Sequence, residues 1–179
     1  MIKRIGTCSL EIPLFVFKVV NHDELKPKLL SQIEELGTYS YINEGQRISH
    51  TDWHLRGDRD FGYKKIFLPI ALAHMALLSK EIHRNKYTGF IDECWFQQYN
   101  EGDYHGLHTH NGSLASVYYL ELGDKAPHTT LSINGKEVTI PVAEGHIISF
   151  PSYIEYESKP NGTNRKTVIA YNSWFKEVL

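Results

Sequence analysis

Gly102-Asp103-Tyr104-His105-Gly106-Leu107-His108-Thr109-His110-Asn111-Gly112-Ser113-Leu114-Ala115-Ser116-Val117-Tyr118-Tyr119-Leu120 places three histidines just ahead of a strand-forming run. His108 and His110 are two residues apart, so on a strand both point to one face. If that face is interior, two imidazoles share a small pocket, and neutral imidazole suits Fe, Zn, Cu and Ni. The chain holds ten histidines, enough to make close pairs by chance. The pair therefore gains weight only from what surrounds it.

Outward from this stretch the apolar period is two. After Gly89, residues 90–99, 106–110, 114–122, 129–133, 136–140, 146–150, 153–158 and 166–174 read as strands. Asn134-Gly135 between two alternating runs is a hairpin signal. Eight short, closely spaced strands predict a sandwich or closed barrel, since closure removes exposed edges. Before Gly89 the pattern is mixed. Ile12, Leu14 and Val16 alternate, so residues 10–19 read as a strand. Leu25, Leu29, Ile33 and Leu36 share a helical face over 23–36, with Pro27 in the first turn and Gly37 as the stop. A second helix is expected over 69–84, with Ile70, Ala73, Leu77 and Leu78 inward. Residues 38–63 have no period and read as a long loop, a length that marks function or cover. Both helices are expected against the outside of the barrel.

The whole fits one domain of 179 residues: an N-terminal region of strand, helices and loop over 1–89, and a barrel core over 90–175. Forty-one per cent of the chain is hydrophobic, enough for a real core, and the net charge of −2 offers no basic footprint for nucleic acid. No apolar run approaches the ~18 residues of a membrane span. Met1-Ile2-Lys3-Arg4 opens like a signal peptide, but Glu11 and Pro13 interrupt any apolar region. Cys8 and Cys94 stand apart and in no metal-binding spacing, which predicts reduced thiols and a cytoplasmic protein. Asn111-Gly112-Ser113 and Asn161-Gly162-Thr163 match the glycosylation sequon and, without secretion, are loop signals.

Three blocks stand in order. The first is Gly102, five residues, His-x-His, then Ser116-Val117-Tyr118-Tyr119-Leu120. The second is Gly145-His146-Ile147-Ile148-Ser149-Phe150-Pro151-Ser152. The third is Lys166-Thr167-Val168-Ile169-Ala170-Tyr171-Asn172. Together they resemble the double-stranded β-helix oxygenases that use Fe(II) and 2-oxoglutarate, in particular their small bacterial and phage branch. The resemblance covers about residues 90–175, and Thr51-Asp52-Trp53 is similar to the family's N-terminal segment.

The resemblance implies a mostly β fold with N-terminal helices, a double-stranded β-helix of the jelly-roll, cupin-like kind. It also implies two cofactors, iron and 2-oxoglutarate, and decarboxylation of the oxoacid coupled to hydroxylation of a C–H bond. In such enzymes two histidines and a carboxylate hold the iron. Carried over, His108 is the first ligand, and His110 takes the place usually given to aspartate. The distal histidine should follow Phe150 by six residues, where this chain has Tyr156. The two-motif pattern of the cupins, counted from Gly102 and Gly145, lands on the same residue.

A phenolate is a hard anionic donor, and tyrosine does ligate haem iron in catalase. Its unperturbed pKa near 10 favours Fe(III) over Fe(II). Tyr156 therefore reads either as a ligand or as an aromatic filling a lost site, with His105 or His146 as replacement ligands. For 2-oxoglutarate the resemblance implies a cation ten residues past the distal ligand. Lys166 fits that register, and Arg165 fits the competing one. Gln98, Tyr104 and Tyr118 read as pocket liners. Asp52-Trp53-His54 and the charged run Arg56 to Asp60 read as a rim or as solvated loop.

The expected function is thus an oxygenase-like oxidation of an unassigned substrate, with a small-molecule co-substrate and a homodimer as a candidate assembly. The competing reading is an altered barrel that binds metal or ligand, or serves as an assembly module. No phosphate-binding glycine loop, dinucleotide fingerprint or nucleophile elbow is present in the sequence.

Overall fold

Two helices form where apolar residues recur every third or fourth position. The computed structural model describes residues 12–37, 39–83 and 87–177, and in it α1 spans His22–Glu34. Leu29 and Ile33 are buried, with Leu25 and Leu36 packed beside them, as the period predicts. Asp23 and Glu24 sit in the first turn, where the helix dipole favours negative charge. Pro27 lies inside the helix, beyond the first turn assigned to it.

α2 spans Gly62–His83 and so begins well before Pro69. Its inward face is Tyr63, Phe67, Ala71, Met75 and Leu78, all essentially inaccessible. The expected face is corrected accordingly: Leu77 is 52% exposed, Ala73 is exposed and Ile70 half-buried. Burial of that aromatic and aliphatic stripe against the sheet outweighs the helix break that Pro69 suggests. The expected end at Arg84 lies outside the described residues.

The strands are β1 (Phe15–Lys18), β2 (Tyr41–Asn43), β3 (Gln46–Ile48), β4 (His50–Thr51), β5 (Tyr87–Tyr99), β6 (Tyr104–His108), β7 (Leu114–Glu121), β8 (Thr129–Ile133), β9 (Lys136–Thr139), β10 (His146–Pro151), β11 (Glu155–Ser158) and β12 (Lys166–Glu177). All eight strands expected after Gly89 are present. The segment read as loop before them is largely structured, holding β2 to β4 and a single 3-10 turn at Trp53–Leu55. The N-terminal strand is shorter than expected, and the start of that range lies outside the described residues, as does Cys8.

Two six-stranded sheets result. One runs β1-β10-β7-β12-β5-β4, the other β2-β3-β6-β11-β8-β9, and every pair is antiparallel. The architecture is mostly β with N-terminal helices, a double-stranded β-helix. Its interior is enclosed by two facing sheets rather than by one continuous ladder.

Packing forms two cores. α1 and α2 cover the outer face of the first sheet through Leu29, Phe67, Phe96, Tyr118 and Ile169, among others. Between the sheets lie Ile48, Tyr99, Val117, Tyr119, Ile148, Phe150, Tyr156 and Val168. β7 is therefore buried on both faces, Tyr118 toward the helices and Tyr119 into the space between the sheets. A strand buried on both sides carries no polar-apolar alternation from which its inward phase can be read.

Candidate functional site

β6 carries the histidines, and its geometry is irregular for a reason visible in the pairing. His108 opposes Tyr156 and His105 opposes Ser158, so three steps on β6 match two on β11. This β-bulge turns His105 and His108 to the same side despite their odd spacing. Gly106 sits in it, donating its N–H to Gly45 O at 2.9 Å. A Cβ at Gly106 would lie 2.7 Å from that carbonyl oxygen, so a residue with a side chain cannot pass there unmoved.

The bulge also leaves the Gly106 carbonyl 2.7 Å from His108 Nδ1. That contact puts the ring proton on Nδ1 and leaves the Nε2 lone pair free. Among the described residues, neither His108 Nε2 nor His110 Nε2, both buried, has a hydrogen-bond partner. The two rings stand 4.9 Å apart at 75°. Trp95 stacks on His110 at 5.2 Å and Trp53 meets it edge-on. Asn172 Nδ2 lies 3.5 Å from His110 Nδ1, the outer limit of a hydrogen bond, and donates to Glu93 at 2.9 Å. Arg56 Nε in turn donates to Glu93 at 2.7 Å.

Burial holds these imidazoles neutral. It pushes His110 down to about 3, helped by His108 and Arg56, and His105 down to about 2, helped by His108, His110 and Lys166. Burial lowers His108 as well, against the opposing pull of the Gly106 carbonyl. Two neutral, unpartnered, buried imidazole nitrogens are a donor pair suited to a transition metal.

Tyr156 stands beside both histidines. Its ring lies 4.3 Å from that of His108 and 5.5 Å from that of His110, and packs on Phe150 at 4.9 Å. Burial pushes its phenol well above its ordinary value. Among the described residues no three His, Cys, Asp or Glu side chains are placed to close around one ion. His108 and His110 thus fit a metal at two corners, and the residue beside them, Tyr156, is a protonated phenol rather than a ready third donor. His105 does not supply that donor in this conformation. Its ring stacks flat on His108 at 3.7 Å and 12°, so the two do not converge on a common point. His146 begins β10 and turns to its own loop, near the Ala143 N–H.

Strand phase sends the two candidate cations to opposite sides. Lys166 opens β12 facing inward and is only 2% exposed. Its Nζ donates to Pro127 O at 3.1 Å and to Ser158 Oγ, and lies 4.6 Å from the Tyr99 ring centroid. Burial lowers it to about 7. Arg165, its neighbour, points the other way and bridges Glu121 and Glu34 on the outside.

Two further expectations are corrected by the same phase. Gln98 faces the helices, bound to His50 and Thr167, and its neighbour Gln97 lines the interior. Tyr118 bonds His22 at 2.7 Å on the helix side, and Tyr119 lines the interior instead. Tyr104 lines neither cavity beside the histidines.

Those cavities are two. An outer one of about 320 Å³ opens over the histidines, with Tyr41, Ile48, Trp53, Glu93 and Asn111 in its wall. An inner one of about 20 Å³ is bounded by Tyr99, Tyr119, Thr129, Tyr156, Ser158 and Lys166. The expected rim is therefore real at Trp53 and Arg56, which line the outer cavity. Asp52, by contrast, is buried behind it, accepting from Tyr63 Oη at 2.6 Å and from the Phe96 N–H at 2.8 Å. Gln97, Glu93, Trp95 and Tyr119 carried no sequence signal of their own. Only the phase of β5 and β7 reveals them.

No family model and no curated protein matches the chain. Solved structures do. A 2OG-Fe(II) oxygenase family oxidoreductase from Burkholderia pseudomallei superposes with a TM-score of 0.71 at 13% identity, over 89% of this chain and 84% of that one. A prolyl-4-hydroxylase from Pseudomonas putida gives 0.67 at 14% identity, over 93% and 94%. A prolyl hydroxylase from Trichoplax adhaerens, solved with a peptide fragment of hypoxia inducible factor, gives 0.62 at 18%, over 88% and 82%. At these identities the likeness is one of fold.

Proposed function

We propose that this chain is an oxygenase-type protein dependent on non-haem iron and 2-oxoglutarate. His108 and His110 hold the metal, Tyr156 stands at its third corner, and Lys166 receives the distal carboxylate of the oxoacid. The observation that carries this reading is the pairing of two unpartnered buried Nε2 atoms with a buried inward cation in one interior. Lys166 has hydrogen-bond acceptors but no ion-pair partner among the described residues, so a carboxylate would offset the desolvation of its ammonium. The fold shared with 2OG-Fe(II) oxygenases supports the same assignment.

Bound iron would supply activation of oxygen, coupled to loss of carbon dioxide from the oxoacid. The chain's own part is positional. The Gly106 carbonyl fixes the His108 tautomer, and Trp95 holds the His110 ring by stacking. Lys166, Ser158, Thr129 and Glu157 form a polar end to the inner cavity, facing Tyr99, Tyr119 and Tyr156. The outer cavity, with Tyr41 and Trp53 in its wall, is where a primary substrate would lie.

A second reading is favoured by Tyr156 itself: a barrel that binds metal or an oxoacid without turning it over. Succinate formation separates the two. Iron-loaded protein given 2-oxoglutarate and air should release succinate slowly even without a primary substrate. Tight 2-oxoglutarate binding with no succinate establishes the binding module, and absence of both sinks the first reading.

A further inference from the structure

The inner and outer cavities share three wall residues: Gln97, His105 and His108. These side chains are the partition between the mouth of the site and Lys166. Behind them the inner space is about 20 Å³, room for a water or two at ~10–15 Å³ of probe volume each. A five-carbon dicarboxylate does not fit there. The rest of the inner wall joins the aromatic and aliphatic core at Tyr99, Val117, Tyr119, Tyr156 and Val168 to a polar side of Thr129, Glu157, Ser158 and Lys166, and the core side does not yield ångströms cheaply.

The partition residues are not equally fixed. His108 is tied through Nδ1 to Gly106 O at 2.7 Å. Gln97 accepts from Tyr99 Oη at 2.9 Å. His105 has one long contact, 3.3 Å from Gln97 Nε2, and a flat stack on His108. It also borders the outer cavity of about 320 Å³, which has space to receive a displaced imidazole.

We propose that His105 is a gate that decides which anions reach Lys166. With its ring stacked on His108 the partition stands and Lys166 is only 2% exposed, and with the ring swung into the outer cavity a carboxylate can extend to the ammonium. The proposal rests on the assignment of Lys166 as the carboxylate acceptor, but the gate can be read without 2-oxoglutarate.

The test is carbamylation of metal-free protein by cyanate, a small reagent that labels amines, followed residue by residue by peptide mass spectrometry. His105→Ala should raise the Lys166 labelling rate about tenfold, the change given by removing ~1.4 kcal/mol from an opening step. His105→Phe, which keeps a ring in the partition, should stay near the wild-type rate. Lys64, also fully buried but on the helix side of the first sheet, should label equally slowly in all three. Equal Lys166 rates in wild type and His105→Ala overturn the gate, as does a matching rise at Lys64, which reports general loosening of the fold. In a separate arm, Zn(II) with 2-oxoglutarate should protect Lys166 in His105→Ala. Fast labelling without protection leaves the gate standing and removes Lys166 as the carboxylate acceptor.

Discussion

Lys166 and Arg165 are adjacent cations with opposite fates, and the difference is strand phase alone. The inward Lys166 gives up water for a carbonyl, a hydroxyl and an aromatic face. Arg165 stays in solvent between two glutamates. Lys166→Ala should therefore weaken 2-oxoglutarate binding to metal-loaded protein by about 1.5–3 kcal/mol, the worth of a charge-assisted hydrogen bond. Arg165→Ala should leave it unchanged. Calorimetry on the pair checks both, and equal losses would refute the assignment. Tyr156 makes a second residue-level prediction. If its oxygen reaches iron, the iron-loaded protein absorbs visible light by charge transfer from phenolate to metal. Tyr156→Phe should bleach that band and weaken iron uptake, and a colourless wild-type iron complex would make Tyr156 a wall residue only.

At the scale of elements, the bulge in β6 builds the site. Gly106→Ala forces a Cβ toward Gly45 O, so it should cost about 1–3 kcal/mol, as overpacking does. A lowered denaturant midpoint with unchanged slope would report it. The same bulge explains what the sequence conceals. The eight strands after Gly89 and the His-x-His pair were legible from period and spacing. The face of His105 was not, because a bulge reverses parity without a distinct residue signal. Gln97 and Tyr119 were hidden for another reason: β5 and β7 are covered by helices on one face and by the facing sheet on the other. Their apolar runs leave the inward phase undetermined, and each assignment fell one residue away, on Gln98 and Tyr118. In α2, Leu77 and Ala73 fit a helical period but lie on the wrong stripe, because the helix starts at Gly62 and its inner face is set by Tyr63 and Phe67.

Over the whole molecule, the buried imidazoles make the fold acid-sensitive. His74, between α2 and the first sheet, is pushed down to about 4 by burial, with Tyr171 Oη 2.7 Å from its Nδ1. Its unfolded pKa is near 6.5, so between these values the unfolded chain binds the extra proton. Its stability contribution is complete above about 6.5 and is lost as pH falls toward about 4. Thermal midpoints of metal-free protein should drop across that window, and less steeply in His74→Gln. Equal slopes would contradict the shift.

In the proposed site His108 and His110 hold a metal through nitrogens that have no partner among the described residues. Anaerobic calorimetric titration of Fe(II) into metal-free protein tests it most directly. Wild type should take up one equivalent per chain, and the double variant His108→Ala/His110→Ala should take up none. Uptake that survives in the double variant, or no uptake by wild type, would contradict it.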